Sequence, residues 1–418
     1  MGKNRQLDEK TAKRSIGIIF LTVLIDMIGI GIIIPILPAL FFKDTNLFFP
    51  PGTSEDYIKL IYGFLIAAYP FMQFFGAPIL GALSDKHGRK PLLQLALWGT
   101  FIGYILLAYG IVSQNLILVF IGRLLPGFTG GNVAIVYSAM ADISSAKDKA
   151  KNFGLVGAAF GLGFIIGPAL GGILADDTIS PWFHNYTPFI VTASLTLINI
   201  ALVYRRFPET LKEQKEGRVN ALTGFINIKR AFEIPNLRSL FVVILLHAVG
   251  FSFFTNFFAV YLYEVFDFTQ KDVGYLFGYI GLWLVFTQGF IVRQLSGSVS
   301  PRKVPQVSLL VLSAAILLIL LPQKASTYYW IIILIPVAQS ISNPYITTIL
   351  SEATSPSQQG EMLGIKQSLF SLGTVVTPVI GGWLITLDIS YPFIVGSIVI
   401  FMAWMIFVFV FNKSEKYK

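Results

Sequence analysis

The stretch Gly163-Phe-Ile-Ile-Gly-Pro168-Ala-Leu-Gly171-Gly172 returns later in the chain as Gly373-Thr-Val-Val-Thr-Pro378-Val-Ile-Gly381-Gly382. The second copy begins at position 373 and the first at 163, an offset of 210, and glycine and proline keep their spacing. The same offset carries Asp142 onto Glu352. Agreement at several points under one offset indicates that the chain is a duplicated unit.

The composition indicates that this duplicated unit lies in a membrane. Of the 418 residues, 55% are hydrophobic and 13% are charged, whereas a soluble domain carries about 25% charged residues. This shortage of charge excludes a soluble enzyme, and 37 Phe, 17 Tyr and 6 Trp exclude a disordered chain. With no cysteine and three histidines, we expect no disulfide framework, no metal centre and no cofactor.

The apolar stretches predict an all-α integral membrane protein with twelve transmembrane helices in two pseudo-symmetric six-helix bundles. A spanning helix needs about 20 apolar residues, and such stretches lie at 15–42, 58–83, 92–112, 116–141, 153–175, 188–204, 240–263, 273–295, 304–321, 328–350, 362–387 and 392–411. The predicted domains are a bundle at 1–204, a cytoplasmic linker at 205–237 with a short surface helix at 224–232, and a bundle at 238–418. This duplication is typical of secondary transporters that bind near the membrane midplane.

The basic residues predict the orientation. Of 31 Lys and Arg, 26 fall on the side of the N-terminus, including Lys366, while Lys43, Lys59, Lys271 and Lys324 fall on the other side and Arg123 lies within the fourth span. By the positive-inside rule both termini are cytoplasmic. The first span is expected to be retained rather than cleaved. The net charge of +9 is then explained by topology and anionic lipid, which excludes nucleic acid as a partner.

The loop between spans two and three reads Gly81-Ala-Leu-Ser-Asp85-Lys-His-Gly88-Arg89-Lys90-Pro91. Gly81 allows close helix approach, and Gly88 allows a turn that a side chain would obstruct. Asp85 can accept hydrogen bonds from a helix N-terminus, and Arg89 can pair with an acid such as Asp142. We predict that these five residues form a conformational latch.

This loop resembles the signature loop of the major facilitator superfamily. Arg123-Leu-Leu-Pro-Gly127 is similar to that superfamily's intramembrane arginine motif. Span five resembles the antiporter motif of drug–proton exchangers through Gly157, Gly161, Gly167, Pro168, Gly171 and Gly172. The likeness extends to the tetracycline efflux proteins through Asp26-Met-Ile-Gly29, Gln73 and the run from Arg123 to Gly130.

The chain also departs from the tetracycline efflux proteins. Those proteins carry a transport histidine in span eight and a transport aspartate in span nine. Here the matching stretch reads Gly281-Leu-Trp283-Leu284-Val-Phe-Thr-Gln288, and 304–321 contains no acid. The resemblance therefore implies a drug–proton antiporter and leaves its cargo open.

Three ionisable residues in the spans are candidates for proton coupling. Asp26 is the acid deep in a span, where a charge costs about 2.5–3.5 kcal/mol, so it either carries a proton or contacts cargo, or is a structural hydrogen-bonded acid. His247 aligns with Asp26 when Asp26-Met-Ile-Gly29 is set against His247-Ala-Val-Gly250, and it either titrates or is satisfied by a neighbour. Arg123 tunes a nearby acid or clamps backbone carbonyls. Glu361 is expected to cap span eleven.

The candidate cargo contacts are polar and aromatic residues of the spans. They are Gln73, Asn132, Tyr137, Asn256, Gln288, Gln339, Asn343 and Gln367, together with Phe251, Phe254 and Trp283. A mostly apolar pocket with a few polar groups suits an amphiphilic molecule. Alternatively, each polar residue bonds helix to helix.

These features predict a monomeric, non-enzymatic, proton-coupled exporter of small amphiphilic compounds, such as a multidrug resistance protein of a bacterial inner membrane. Its partners are a small-molecule substrate, protons and lipid, and it works by alternating access with span five as the moving seam. The direction of transport comes from the resemblance. The alternatives are a proton-coupled uptake carrier for a metabolite or siderophore, and a channel or receptor.

Overall fold

The computed structural model describes residues 9–43, 47–144, 148–211, 220, 222–295, 298–354 and 359–411. Within these residues every regular element is a helix, which confirms the predicted all-α fold. In the described part of the chain, eleven helices are long and apolar enough to cross a membrane. A shorter apolar helix, Lys303–Leu318, lies where the ninth span was predicted.

We number these twelve helices in chain order. They are α1 Lys10–Phe42, α2 Glu55–His87, α3 Arg89–Val112, α4 Leu116–Ile143, α5 Asn152–Leu174, α6 Thr187–Arg206, α7 Arg238–Phe266, α8 Gln270–Leu295, α9 Lys303–Leu318, α10 Ala325–Glu352, α11 Glu361–Leu387 and α12 Tyr391–Phe411. A further helix, Thr223–Glu233, lies in the predicted linker and is called the linker helix below. Positions 212–219 and 221 of the linker lie outside the described residues.

Several of these helices depart from regular α geometry within the described residues. A turn at residue 32 divides α1, because Pro35 has no N–H to donate to the carbonyl of Gly31. In α4 a 3₁₀ turn runs over Gly130–Asn132, and in α8 a π-turn runs over Thr287–Ile291. Such departures from α geometry re-aim side chains and are frequent at functional sites.

The chain forms two compact units. The first comprises Met1–Leu37, Ala68–Thr223 and Gln270–Gly278, and the second comprises Pro38–Ala67, Gly224–Thr269 and Tyr279–Lys418. Each unit therefore contains segments from both halves of the sequence. The division at 205–237 stays a prediction.

The duplication inferred from the sequence is repeated in the helix packing. In the first unit α1 packs on α5 and α6, and α3 packs on α4 and α6. In the second unit α7 packs on α11 and α12, and α9 packs on α10 and α12. The repeated glycines lie at matching contacts, because a Cβ atom would overlap Met27 of α1 at Gly163 and would lie 3.1 Å from Ala248 of α7 at Gly373.

Apolar side chains fill the core of each unit. In the first unit Val23 and Leu97 lie in one buried cluster with Val136. In the second unit Ser313 of α9 adds a polar contact to this packing by donating a 2.9 Å hydrogen bond to the carbonyl of Ser397 in α12. Burial of these side chains packs together the helices that carry the ionisable residues.

Candidate functional site

Asp26 is buried against α4. Its side chain is 7% exposed, and its Oδ2 accepts a 2.8 Å hydrogen bond from the amide nitrogen of Asn132. Asn132 ends the 3₁₀ turn of α4 and is fully buried. Asn132, a candidate cargo contact in the sequence, therefore bonds α4 to α1 through Asp26. This is the alternative interpretation, in which a polar residue bonds helix to helix.

A fixed cation and two phenol groups lie near this acid. The guanidinium carbon of Arg123 is 5.1 Å from the ring centroid of Tyr69, a cation–π distance. The Tyr69 hydroxyl fills the space beside Gly130, and the Tyr104 hydroxyl fills the space beside Gly29. Asp26 and Arg123 both lie within electrostatic reach of these two tyrosines. Helices α1 to α4 thus build one buried cluster with one acid and one permanent cation.

The second unit holds a corresponding pair. The Nε2 atom of His247 in α7 lies 2.7 Å from the amide oxygen of Gln339 in α10, and His247 is buried. Each half of the sequence therefore joins its first helix to its fourth through a titratable side chain and an amide. This geometry agrees with the alignment of His247 on Asp26, and it gives His247 the satisfying neighbour that the sequence left as the alternative.

Lys366 is a candidate functional residue that sequence reasoning missed. It was counted with the cytoplasmic loops, whereas the structure places it within α11. Its Nζ donates a 3.0 Å hydrogen bond to Asn343 Oδ1 and another to Thr347 Oγ1. The sequence carried a signal, because Lys366 lies four residues inside the predicted span at 362–387.

The predicted latch is formed around Arg89. Its Nε donates a 3.2 Å hydrogen bond to Asp142 Oδ2, its Nη1 donates a 2.6 Å hydrogen bond to Ser84 Oγ, and its Nη2 pairs with Asp85. Arg89 is 5% exposed, so these contacts fix it between α2 and α4. A Cβ atom at Gly81 would lie 3.3 Å from Ala134, a close approach of the kind predicted there.

The structure corrects the expected role of Asp85 at a helix N-terminus. Asp85 lies near the end of α2, and the carboxylate that accepts from the N-terminus of α3 belongs to Glu209, which follows α6. The Glu209 carboxylate accepts hydrogen bonds from the backbone N–H of Arg89 at 2.9 Å and of Lys90 at 3.2 Å. Gly88 precedes this helix with φ of 106°, and a side chain there would overlap the Glu209 carboxylate. Glu209, which lies in the predicted linker, thus joins the contacts of the predicted latch.

Three antiporter-motif glycines of α5 pack closely against neighbouring backbone, namely Gly167, Gly171 and Gly172. A Cβ atom added at Gly167 would lie 2.8 Å from the Cα atom of Gly31. A Cβ atom added at Gly171 would lie 2.7 Å from the carbonyl oxygen of Ile32. Gly161 and Pro168 are buried, and at Gly172 a Cβ atom would overlap the Gln270 carbonyl. At Gly157, by contrast, a Cβ atom would meet nothing within 4 Å, so this position does not share the packing role.

Some predicted cargo contacts are engaged in packing. The amide nitrogen of Gln73 donates a 3.1 Å hydrogen bond to the carbonyl of Gly130. Asn256 donates at 2.9 Å to the carbonyl of Ser252 in its own helix. Phe254 is buried, and its ring centroid lies 5.9 Å from that of Phe251. Gln73 therefore bonds α2 to α4, as in the alternative interpretation, whereas the printed bond of Asn256 stays within α7.

Other candidates keep exposed surface. Gln288, Asn343 and Gln367 are exposed. Tyr137 is exposed and stacks on Phe153 with ring centroids 5.7 Å apart. Trp283 is partly buried beside Tyr279 and Phe286.

Glu361 combines its predicted place with a further contact. It lies in the first turn of α11, as expected. Its carboxylate also pairs with Arg230 of the linker helix at 2.6 Å. Glu361 therefore attaches the linker helix to α11.

One family model matches nearly the whole of this sequence. The chain belongs to the Major Facilitator Superfamily, whose family model matches residues 19–338 and 331–418. It is therefore a multi-pass membrane transport protein and not an enzyme.

Individual relatives cover nearly the whole chain. Tetracycline resistance protein, class H of Pasteurella multocida is 30% identical over 390 residues, which are 90% of each chain. Multidrug resistance protein 1 of Bacillus subtilis is 27% identical over 384 residues, covering 91% of this chain and 92% of that protein.

Two solved structures share the fold. The human organic anion transporter MFSD10 has a TM-score of 0.70 and 22% identity, covering 95% of this chain and 99% of its own. A D-xylose–proton symporter has a TM-score of 0.75 and 15% identity, covering 95% of this chain and 98% of its own.

Proposed function

We propose that the protein is a proton-driven antiporter that exports small amphiphilic compounds. The observation that carries the proposal is the buried Asp26 carboxylate, bonded to Asn132 at 2.8 Å in a cluster that also holds Arg123. A titratable acid within a span is a functional-site hypothesis by default. Similarity to tetracycline and multidrug resistance proteins supports export as the direction.

In this proposal Asp26 exchanges the proton. When Asp26 is ionised, its Oδ2 accepts the bond from Asn132, and Arg123 lies in the same cluster. When Asp26 takes up a proton, the cluster gains one positive charge and the hydrogen bond loses its ionic character, which weakens it. Proton uptake therefore changes the energy of the α1–α4 contact, and a change of this kind can shift the balance between two conformations.

The other predicted elements act around this exchange. Arg89, Asp85 and Asp142 stabilise one conformation, and the close crossing of α5 on α1 is the seam along which helices rock. His247, bonded to Gln339, is a second position for a proton. The two halves of the sequence alternately expose the cargo to either side of the membrane.

The proposed setting is the one that the sequence predicts. The chain works as a monomer in a bacterial inner membrane, with both termini and the linker on the cytoplasmic side. The basic residues counted on that side support this orientation.

Transport in inverted membrane vesicles tests the direction. The probes are ethidium, a neutral naphthalenesulfonamide and naphthalenesulfonate, each with an imposed acid lumen. An exporter that exchanges cargo for protons accumulates at least one probe in the lumen and releases luminal protons as it does so. A carrier that moves a probe out of the acid lumen together with protons would be the uptake alternative, and this result would overturn the proposal.

A further inference from the structure

We infer that Lys366 of α11 and a polar stripe on α10 bind the anionic group of an amphiphilic cargo, such as a carboxylate or a sulfonate. The polar stripe is defined as Gln339, Asn343 and Thr347. This inference rests on the proposed function, because it names the chemistry of the exported compound. It concerns the second unit, whereas the proposed proton exchange at Asp26 concerns the first.

The ammonium group of Lys366 is held by neutral oxygens. Nζ donates to Asn343 Oδ1 at 3.0 Å and to Thr347 Oγ1. An ammonium group has three N–H donors, so two bonds to neutral acceptors leave one donor and the whole charge. Among the described residues no carboxylate forms an ion pair with Lys366. The site therefore holds a cation in a span without a protein counter-charge in the described part of the chain.

Such a cation is costly unless it is compensated. Lys366 lies in the second turn of α11, where its side chain is partly buried, and buried charges in proteins are normally paired. An anion carried by the cargo would supply the missing charge. A cationic cargo would be repelled at this position.

The polar stripe extends the site along one helix face. Gln339, Asn343 and Thr347 are spaced four residues apart, which places them on the same side of α10. One end of the stripe contacts His247, at 2.7 Å from Gln339, and the other end contacts Lys366. The stripe thus connects His247 and Lys366, and the amide N–H groups of Gln339 and Asn343 can donate hydrogen bonds to an oxyanion. The hydroxyl of Thr347 already donates to the carbonyl of Asn343.

The acids on the same helices lie outside this stripe. Glu352 is the last residue of α10. Glu361, five positions before Lys366 in the sequence, pairs with Arg230 at 2.6 Å. The charge in contact with the stripe among the described residues is that of Lys366, and it favours an anion.

The surface beside Lys366 suits the apolar part of an amphiphile. Leu363 and Phe370 flank Lys366 at helical spacing on α11 and are 43% and 40% exposed. Gln367 and Asn343 next to them are exposed polar residues. An anionic head at Lys366 and an apolar body along Leu363 and Phe370 would satisfy both parts of the ligand.

Binding of a matched pair of probes tests the inference on the purified full-length protein in phosphatidylcholine nanodiscs. Naphthalenesulfonate carries a permanent negative charge, whereas naphthalenesulfonamide has a similar shape and no charge. We expect wild type to prefer the sulfonate, Lys366→Gln to bind it about tenfold or more weakly, and Lys366→Arg to retain it. Lys229→Gln removes an exposed lysine of the linker helix and serves as the control with unchanged binding.

A second variant covers the case in which Lys366→Gln does not fold. Asn343→Asp places a carboxylate beside Lys366, so it should compete with the sulfonate while preserving the α10–α11 contact. Equal sulfonate binding by wild type, Lys366→Gln and Asn343→Asp overturns the inference. The inference is also overturned if Lys366 affects the binding of phosphatidylglycerol added to the nanodiscs but not the binding of the sulfonate. The anion bound at Lys366 would then be a lipid and not cargo.

Failure of this inference is distinguishable from failure of the proposed function. If the sulfonate binds independently of Lys366 while a neutral or cationic probe is still exchanged for protons through Asp26, the inference of an anionic cargo fails and the proposed function stands. If Asp26→Asn exchanges every probe for protons as wild type does, the proposed antiport mechanism is wrong whatever Lys366 binds.

Discussion

The amide nitrogen of Asn132 lies 2.8 Å from a carboxylate oxygen of Asp26, so α4 holds the buried acid of α1 by a hydrogen bond. In the second half of the sequence His247 and Gln339 join α7 to α10 at 2.7 Å. The duplicated fold therefore places a titratable group and an amide partner at the same helix pair twice. The acid pair and the basic pair differ in the charge that they can carry.

We expect the Asp26–Asn132 contact to stabilise the fold when Asp26 is ionised. Asn132→Leu removes the donor and leaves a buried acceptor unsatisfied, which costs about 1–3 kcal/mol. In a double-mutant cycle with Asp26→Leu, which removes the acceptor, unfolding measured in detergent should give a coupling energy of about 1 kcal/mol or more. Additive losses in the two single variants would show that the two side chains do not interact.

Glu209 should stabilise the latch more than an ordinary surface acid does. Glu209→Ala leaves the first N–H groups of α3 without their side-chain acceptor, and loss of such a cap costs about 0.5–2 kcal/mol. Glu233→Ala is the matched control, because that acid pairs with Lys229 on an exposed face, where a salt bridge contributes about 0–1 kcal/mol. Thermal unfolding of both variants is the measurement, and equal melting temperatures would contradict the assigned cap.

Two glycines of the antiporter motif should respond differently to the same substitution. Gly167→Leu forces a side chain into the backbone of α1, since even a Cβ atom would lie 2.8 Å from Gly31. Gly157→Leu meets open space and should be tolerated. Yield of monodisperse protein and probe export measure the effect. Similar losses in both variants would show that the motif has a role other than packing.

The absence of cysteine makes the proposed orientation directly measurable. Single cysteines are introduced by Lys229→Cys in the linker helix and by Asp177→Cys between α5 and α6, and whole cells are treated with a membrane-impermeant thiol reagent. We expect labelling at position 177 and none at position 229 until the cells are opened. The reverse pattern would place the linker outside the cell.

The spans were predictable because the bilayer imposes a length of about 20 apolar residues on each of them. The sites were predictable only in part. Asp26 and His247 stand out in their apolar surroundings, whereas the partners of these residues come from helices about a hundred positions away. Glu209 was missed for the same reason, since the helix that it caps begins 120 positions earlier, at Arg89.

Lys366 was missed for a different reason. A count of basic residues by side treats every lysine near a span end as a loop residue, whereas this lysine lies inside its helix. Its contacts with α10 depend on the pairing of two helices, which one sequence does not specify. At Gly157 the motif suggested a packing contact that the structure does not contain, because a Cβ atom there would meet open space.

Proton exchange by Asp26→Asn in proteoliposomes is the most direct test of the central claim. Asparagine keeps the size of the side chain and cannot titrate, so the variant should lose probe-driven proton flux while still binding the probe. Asp177→Asn, which changes an exposed acid between α5 and α6, should keep wild-type flux. Wild-type proton flux in Asp26→Asn would contradict the account, because the coupling acid would then lie elsewhere.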